Sequence, residues 1–272
     1  MARHLLLRRF SEGVTIKLET VIKSLVAHTR AIGGPGIFLR ESTLRLVERL
    51  SGDIGEFGQH SKASGREFLQ DSTALLQASA ADAKRIVDQL CPAGSPDVRT
   101  LVVGGEERAL DAHACTALLA FVDDLRRHVT PNSRIDISHG AHDEQVHISM
   151  CELERLVSTD QAQRLQRLYG SPIDEIIIRR VAAVAHHHLI AFHTDISSYK
   201  TMQVALNEED EYEGGRLVFA TVEGFVQPAR PPGAYTIHHW NMPHGVTGLR
   251  SGVRYSLFFL TLSLSVPAGP AE

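Results

Sequence analysis

The residues whose types and spacing carry the most chemistry lie in the last third of the chain. His193 and Asp195, in "AFHTDISSYK", stand two apart among apolar neighbours. On a strand, positions i and i+2 share a face, so the imidazole and the carboxylate reach one point in space. A third ligand must come from elsewhere, and His244, in "NMPHGV", is the candidate. Two histidines and one carboxylate make a facial triad, which leaves coordination positions of a metal ion open for oxygen and an organic ligand. The plainer alternative is a hydrogen-bonded core pair with no metal, since His-x-Asp recurs by chance. Arg254 follows ten residues after His244, and Ser256 shares its face, both inside "VRYSLFFL". A guanidinium among such apolar neighbours needs an anion; its planar fork matches a carboxylate, and a hydroxyl adds a donor.

Such side chains need strands to present them. After residue 173 the chain is a series of short β-runs: "DEIIIRRVAAVA", "HLIAFHTD", "KTMQVALN", "GRLVFA", "GAYTIHHW" and "VRYSLFFLTLSL". Gly, Asn, Asp and Pro clusters separate them, as in a sandwich or barrel. Upstream, "TLVVGG", "RIDISHG" and "EQVHISM" read as further short strands. "LDAHACTALLAFVDDLRRHV" (110–129) reads as an amphipathic helix, and "STDQAQRLQRLYG" as a second one capped by Ser158. Residues 1–90 read as helical: "TIKLETVIKSLVAH" has apolar residues at helical spacing, Ser42 is placed as an N-cap, and "CPAGSPD" ends the pattern. The expected fold class is α+β, a β-sandwich buttressed by helices. Residues 1–95 form a helical N-terminal region for packing, a partner or dimerisation, and residues 96–272 form the domain with the site.

A hydrophobic fraction of 43% with 22% charged residues is globular and supports a real core. The net charge of −4 argues against a general nucleic-acid partner. Cys91, Cys115 and Cys151 are odd in number with no Cys-x-x-Cys pair, which supports neither a disulfide framework nor a zinc ribbon. A reducing, cytoplasmic setting follows as the expectation, with no apolar run long enough for a membrane span. The first 50 residues are basic and lack Asp, a faint likeness to a transit segment.

Other polar residues compete for roles. Adjacent strand residues point to opposite faces, so of His186, His187 and His188 at most the outer two converge, and a loop or solvent face is the preferred reading. His238 and His239 alternate likewise, and one of them can enter the site. Arg179 and Arg180 sit one per face, and the inward one would bind an acidic substrate group, with Arg180 taken as that residue. His139, His142 and His147 lie in a segment suited to covering substrate, and His147 is taken as a substrate contact. Trp240 either walls the pocket or packs in a core.

The ordered set "HTD", "EYEGGRLVF", "PPGAYTIHHWNMPHGVTGLRSGVRYSLFF" resembles the catalytic region of iron(II)/2-oxoglutarate-dependent dioxygenases of the prolyl 4-hydroxylase-like group, over residues 175–262. The resemblance implies a double-stranded β-helix (jelly-roll) core. It implies iron held by His193, Asp195 and His244, and the distal carboxylate of 2-oxoglutarate held by Arg254 with Ser256. Gly214 and Gly215 are read as turn formers. Collagen-type members carry Lys at the clamp position, where this chain has Arg254. Members often carry an Arg-Tyr pair before His-x-Asp; here "RRVAAV" lacks that Tyr, and Tyr199, Thr201 or Gln203 would take its place. Asp195 disfavours the related halogenases. The implied reaction uses O2, with ascorbate as a reductant, and releases succinate and CO2 while hydroxylating an unactivated C–H of a small molecule, an amino acid or a protein side chain. The rivals are a catalytically silent jelly-roll that binds a carboxylate or metal, and a cupin-like zinc or manganese enzyme.

Overall fold

The structure, a computed structural model, describes residues 65–70, 72–91, 100–104, 107–128, 134–137, 140–185, 189–195 and 198–262. The expected helix over residues 15–28, the Ser42 cap, the run at His186, His187 and His188, and His139 lie outside them. Among the described residues no helix is long and apolar enough to cross a membrane.

The short β-runs of the sequence become strands in two antiparallel sheets. The larger has eight strands. Its central order runs β10 (Tyr235–His239), β6 (Ser198–Ala205), β12 (Leu249–Leu262), β4 (Glu175–Ala182), flanked by β1 (Leu101–Val103) on one edge. On the other edge lie β3 (Asp143–Ile148) and β2 (Ile135–Asp136), while β7 (Tyr212–Gly214) pairs with the start of β12. The smaller sheet is β5 (Ile190–His193), β11 (His244–Val246), β8 (Leu217–Thr221), β9 (Gly224–Val226). From β4 onward the chain passes back and forth between the sheets, so sequence neighbours rarely pair. That winding is a double-stranded β-helix.

Side-chain parity divides each sheet into two faces. On β12 the odd positions Leu257 and Phe259, with Met202 and Val204 of β6 and Ile176 and Ile178 of β4, join one apolar cluster. The helices α4 (Ala112–Arg127), α5 (Met150–Val157) and α6 (Thr159–Tyr169) supply its other side through Leu118, Leu153 and Leu165. The smaller sheet turns Phe192, Val218 and Ala220 outward into a second cluster with Phe68, Leu69, Ile86 and Val87. Those four belong to α1 (Arg66–Gln70) and α3 (Ala80–Leu90); α2 (Ser72–Gln77) adds Leu75. Each fully buried Leu, Ile, Val or Phe contributes about 1.5–3 kcal/mol. Residues 66–90 therefore pack on the smaller sheet, within the compact unit Gly65–Glu272.

Local signals set the helix starts. Ser79 and Asp82 close a capping box on α3, as do Ser149 and Glu152 on α5. Asp111 caps α4 and Ser158 caps α6. The expected strand "EQVHISM" stops at Ile148, because the Ser149 box turns the chain into α5, a helix the sequence reading ran over. Between the sheets, buried polar groups such as Asp143, Gln203, His238 and Arg254 stand beside a small apolar cluster.

Candidate metal and anion site

His244 and His193 are direct cross-strand partners on β11 and β5. Their ring centroids are 4.3 Å apart. Asp195 follows two residues on, its backbone N–H donating to the Trp240 carbonyl at 2.8 Å. One Asp195 carboxylate oxygen, Oδ1, lies 3.8 Å from His193 Nε2 and 3.7 Å from His244 Nε2. One ligand atom from each of the three residues falls within 4.8 Å of the others. The other ring nitrogens are spoken for: Nδ1 of His193 contacts the Ala191 carbonyl and Nδ1 of His244 the Met242 carbonyl, both at 2.9 Å. A carbonyl only accepts, so each Nδ1 carries the proton and each Nε2 turns a lone pair toward Asp195.

Electrostatics keep the trio ready for a cation. Burial, with His244 beside it, pushes His193 down to about 4. Burial and the neighbouring His238 push His244 down to about 4 as well, against the pull of Asp195. Burial alone would raise the Asp195 carboxyl, but His244, His238 and His193 hold it well below the usual carboxylate range. Two neutral imidazoles and one carboxylate is the donor set of an open facial site.

Asp195 is aimed by the larger sheet. Thr201 Oγ1 donates to Oδ2 at 2.9 Å, and His238 Nε2 lies 3.1 Å from the same oxygen. Thr201 and His238 are register partners on β6 and β10, so one ladder rung of the larger sheet fastens the carboxylate. Thr201 thus bonds Asp195, while the sequence expectation placed it on the cosubstrate.

Along the same inner face lies a pocket rich in cations. Arg254, 3% exposed, donates to the Gly215 carbonyl at 2.6 Å. Gly214 and Gly215 hold φ of 78° and 61°, the left-handed turn that brings this carbonyl under β12. Arg230, 2% exposed, donates to Gln203 Oε1 at 2.8 Å and to Ser256 Oγ at 3.0 Å. Among the described residues no carboxylate forms a salt bridge with Arg254 or Arg230. Burial, then the cations Arg230 and Arg179, push Arg254 down to about 9, still protonated at neutral pH. Buried guanidinium groups without a carboxylate partner mark a place for an anion. Arg230 was not picked out from the sequence; it sits in "QPARPPG", a turn whose residues have no strand parity to read.

No family model matches the chain, and no curated protein matches it. Solved structures do. The chain is similar to an oxidoreductase of the 2OG-Fe(II) oxygenase family from Burkholderia pseudomallei, at 17% identity over 68% of this chain and 91% of that one, with a TM-score of 0.43. It is similar to a Trichoplax adhaerens prolyl hydroxylase bound to a hypoxia inducible factor peptide fragment, at 16% identity over 74% of this chain and 100% of that one, with a TM-score of 0.45. It is also similar to a Pseudomonas putida prolyl-4-hydroxylase, at 15% identity over 65% of this chain and 97% of that one, with a TM-score of 0.42.

The remaining sequence candidates fall elsewhere. Of the arginine pair on β4, Arg179 faces inward, forked onto Asp143 with Nε at 2.7 Å from Oδ1. Arg180 faces out, donating to Tyr255 at 3.2 Å and to Glu144 at 3.3 Å, so it stabilises the helix-covered face and is not gathered with the metal trio. His239 likewise turns away from the inner face that its neighbour His238 occupies, and meets the Tyr199 ring edge-on at 5.5 Å. Tyr199 is therefore occupied at the start of β6 and does not join the arginines. Tyr212 on β7 lies near both arginines. His147 shares the inner face of β3 with Asp143 but is exposed, with Ile177 as its cross-strand partner. Trp240 flanks the trio through its carbonyl, its half-buried side chain beside the loop to His244.

Proposed function

We propose that this chain is an iron(II)- and 2-oxoglutarate-dependent oxygenase that hydroxylates an unactivated C–H of a small molecule, an amino acid or a protein side chain. The observation that carries the reading is the pairing of two features across one polar interior. A neutral His, His, carboxylate trio with free Nε2 lone pairs stands beside buried arginines that lack a carboxylate partner. The donor set fits iron(II), and the arginine pocket fits the distal carboxylate of a keto acid.

In this reading His193, Asp195 and His244 hold the metal, while Thr201 and His238 keep the Asp195 carboxylate turned to it. Arg254 pairs with the distal carboxylate, and Ser256 adds a hydroxyl donor beside it. Bound iron with 2-oxoglutarate and O2 supplies the C–H oxidation, the cosubstrate leaving as succinate and carbon dioxide. Phe219, Leu217, Met242 and Val246 form an apolar cluster against this interior, with the Phe219 ring 5.9 Å from His244. They exclude water from one side of the metal trio.

The test is anaerobic. Iron(II) and then 2-oxoglutarate are added to metal-free protein, and the visible charge-transfer band of a chelated keto acid is recorded. The wild type is expected to develop the band, His193→Ala to lose it, and Arg254→Met to need far more cosubstrate. Bound iron without a band would sink the cosubstrate assignment and leave a carboxylate-binding scaffold as the better reading.

A further inference from the structure

Arg230 raises a question that the clamp at Arg254 does not answer. One distal carboxylate needs one guanidinium, yet two are buried on this inner face. Arg230 is also already engaged, since two of its nitrogens meet Gln203 and Ser256. The direction of those bonds matters. A guanidinium has donors only, so Gln203 Oε1 and Ser256 Oγ are both forced to accept. Gln203 then keeps its amide NH2 for another partner, and Ser256 keeps its hydroxyl hydrogen. Among the described residues no protein acceptor takes either.

The placement is rigid. The Arg230 backbone N–H is held by the Glu209 carboxylate. Pro231 and Pro232 fix the chain that follows. Gly233, at φ 77°, closes the turn so tightly that a Cβ there would lie 2.0 Å from the Leu110 carbonyl. Its N–H reaches the Ala205 carbonyl at 2.8 Å, which ties the turn to β6, the strand that carries Gln203. Arg230 is therefore a fixed group toward which the buried side chains of Gln203 and Ser256 orient.

We propose that Arg230 is a positioning residue for the anion end of the cosubstrate pocket: it makes Ser256 and Gln203 obligate donors, so the pocket around Arg254 selects a keto acid with a distal carboxylate and refuses one with a neutral tail. This inference rests on the oxygenase reading above and deepens it. Without Arg230, Gln203 is free to flip and Ser256 to rotate, and either can present an acceptor to the ligand. A repulsive contact then replaces a charge-assisted one.

The experiment uses the full iron(II)-loaded chain under anaerobic conditions, titrated separately with 2-oxoglutarate and with 2-oxobutyrate, which lacks the distal carboxylate. Arg230→Gln is expected to raise the half-saturating 2-oxoglutarate concentration by roughly tenfold to a hundredfold, the loss of one to two charge-assisted hydrogen bonds. The 2-oxobutyrate titration should stay within about twofold of wild type, the scatter of a neutral change. Gln203→Glu gives a second reading that keeps Arg230 bonded and changes no volume: it converts the spare amide donor to an acceptor and should produce the same selective loss. Equal weakening toward both keto acids would assign Arg230 a purely structural role. Unchanged titrations in both variants, with a normal wild-type band, would sink this inference alone. A wild type without a band for either keto acid would sink the oxygenase reading and this inference with it.

Discussion

Thr201→Val isolates what the larger sheet does for the metal trio. The substitution keeps the shape of a buried side chain and deletes the hydroxyl that donates to Asp195 Oδ2 at 2.9 Å. A hydrogen bond to a charged acceptor is worth about 1.5–3 kcal/mol. His238 still holds the same oxygen at 3.1 Å, so the carboxylate loses half of its anchoring. The low end applies: about 1.5 kcal/mol, or slightly more than tenfold in metal affinity. Folding should suffer little, because Ser198, the other neighbour of the Thr201 hydroxyl, keeps its bond to the Lys200 carbonyl at 2.9 Å. Calorimetric titration of metal-free protein with manganese(II) or iron(II) reads the affinity directly, and a thermal melt of the metal-free form reads the stability. A metal affinity within about twofold of wild type, in a variant that folds normally, would falsify the orienting role, since so small a change is the scatter of an inert substitution.

His238→Leu should weaken metal binding by about tenfold or more, while His239→Ala should leave it within about twofold; the same calorimetry checks both, and equal effects would refute the assignment of faces. Gly214→Ala places a Cβ 2.0 Å from the Gly248 carbonyl at φ 78°. It should cost at least about 2 kcal/mol in urea unfolding, and an unchanged midpoint would contradict the turn. Tyr169→Phe removes bonds of the phenol to the Lys200 carbonyl at 2.7 Å and to Thr261 at 2.8 Å, for about 1–2 kcal/mol at pH 7. Burial raises the Tyr169 phenol to about 12, above its unfolded value of 10.0, so this stabilisation is complete below pH 10 and lost as pH rises toward 12. Unfolding curves of the wild type should fall across that window more steeply than those of the Phe variant.

How far the sequence could be read follows from parity. Strand positions themselves were legible because apolar runs bounded by Gly and Pro are hard to mistake. His193 and Asp195 converge although β5 ends at His193, with the Asp195 N–H held by the Trp240 carbonyl. The pair Arg254 and Ser256 was legible because both stand on one strand, two apart. Adjacent polar residues were not. Nothing in "IHH" or "IIRRV" says which member faces in, because that depends on the partner strand. Ile237 and Ile178 join the helix-covered cluster, which turns His238 and Arg179 inward and leaves His239 and Arg180 outside. Arg230 was hidden more deeply, since a Pro-Pro-Gly turn has no period. Helix α5 could have been read from "SMCE", whose Ser149 and Glu152 spell a capping box directly after a strand pattern.

The two sheets have separate apolar clusters, one shared with α4–α6 and the other with α1–α3. The space between them is lined on one side by the trio's histidines and on the other by arginines. A ligand that chelates the metal at one end and meets Arg254 at the other is thus a strut between two independently packed layers. Its binding adds cohesion between the two sheets, beyond that of the inner cluster of Leu217, Phe219, Met242 and Val246. The melting temperature of the whole molecule, and not of a local loop, should therefore follow occupancy by mass action. The residues that would set the chemistry thus stand on inner faces, apart from the helix-backed clusters that hold each sheet.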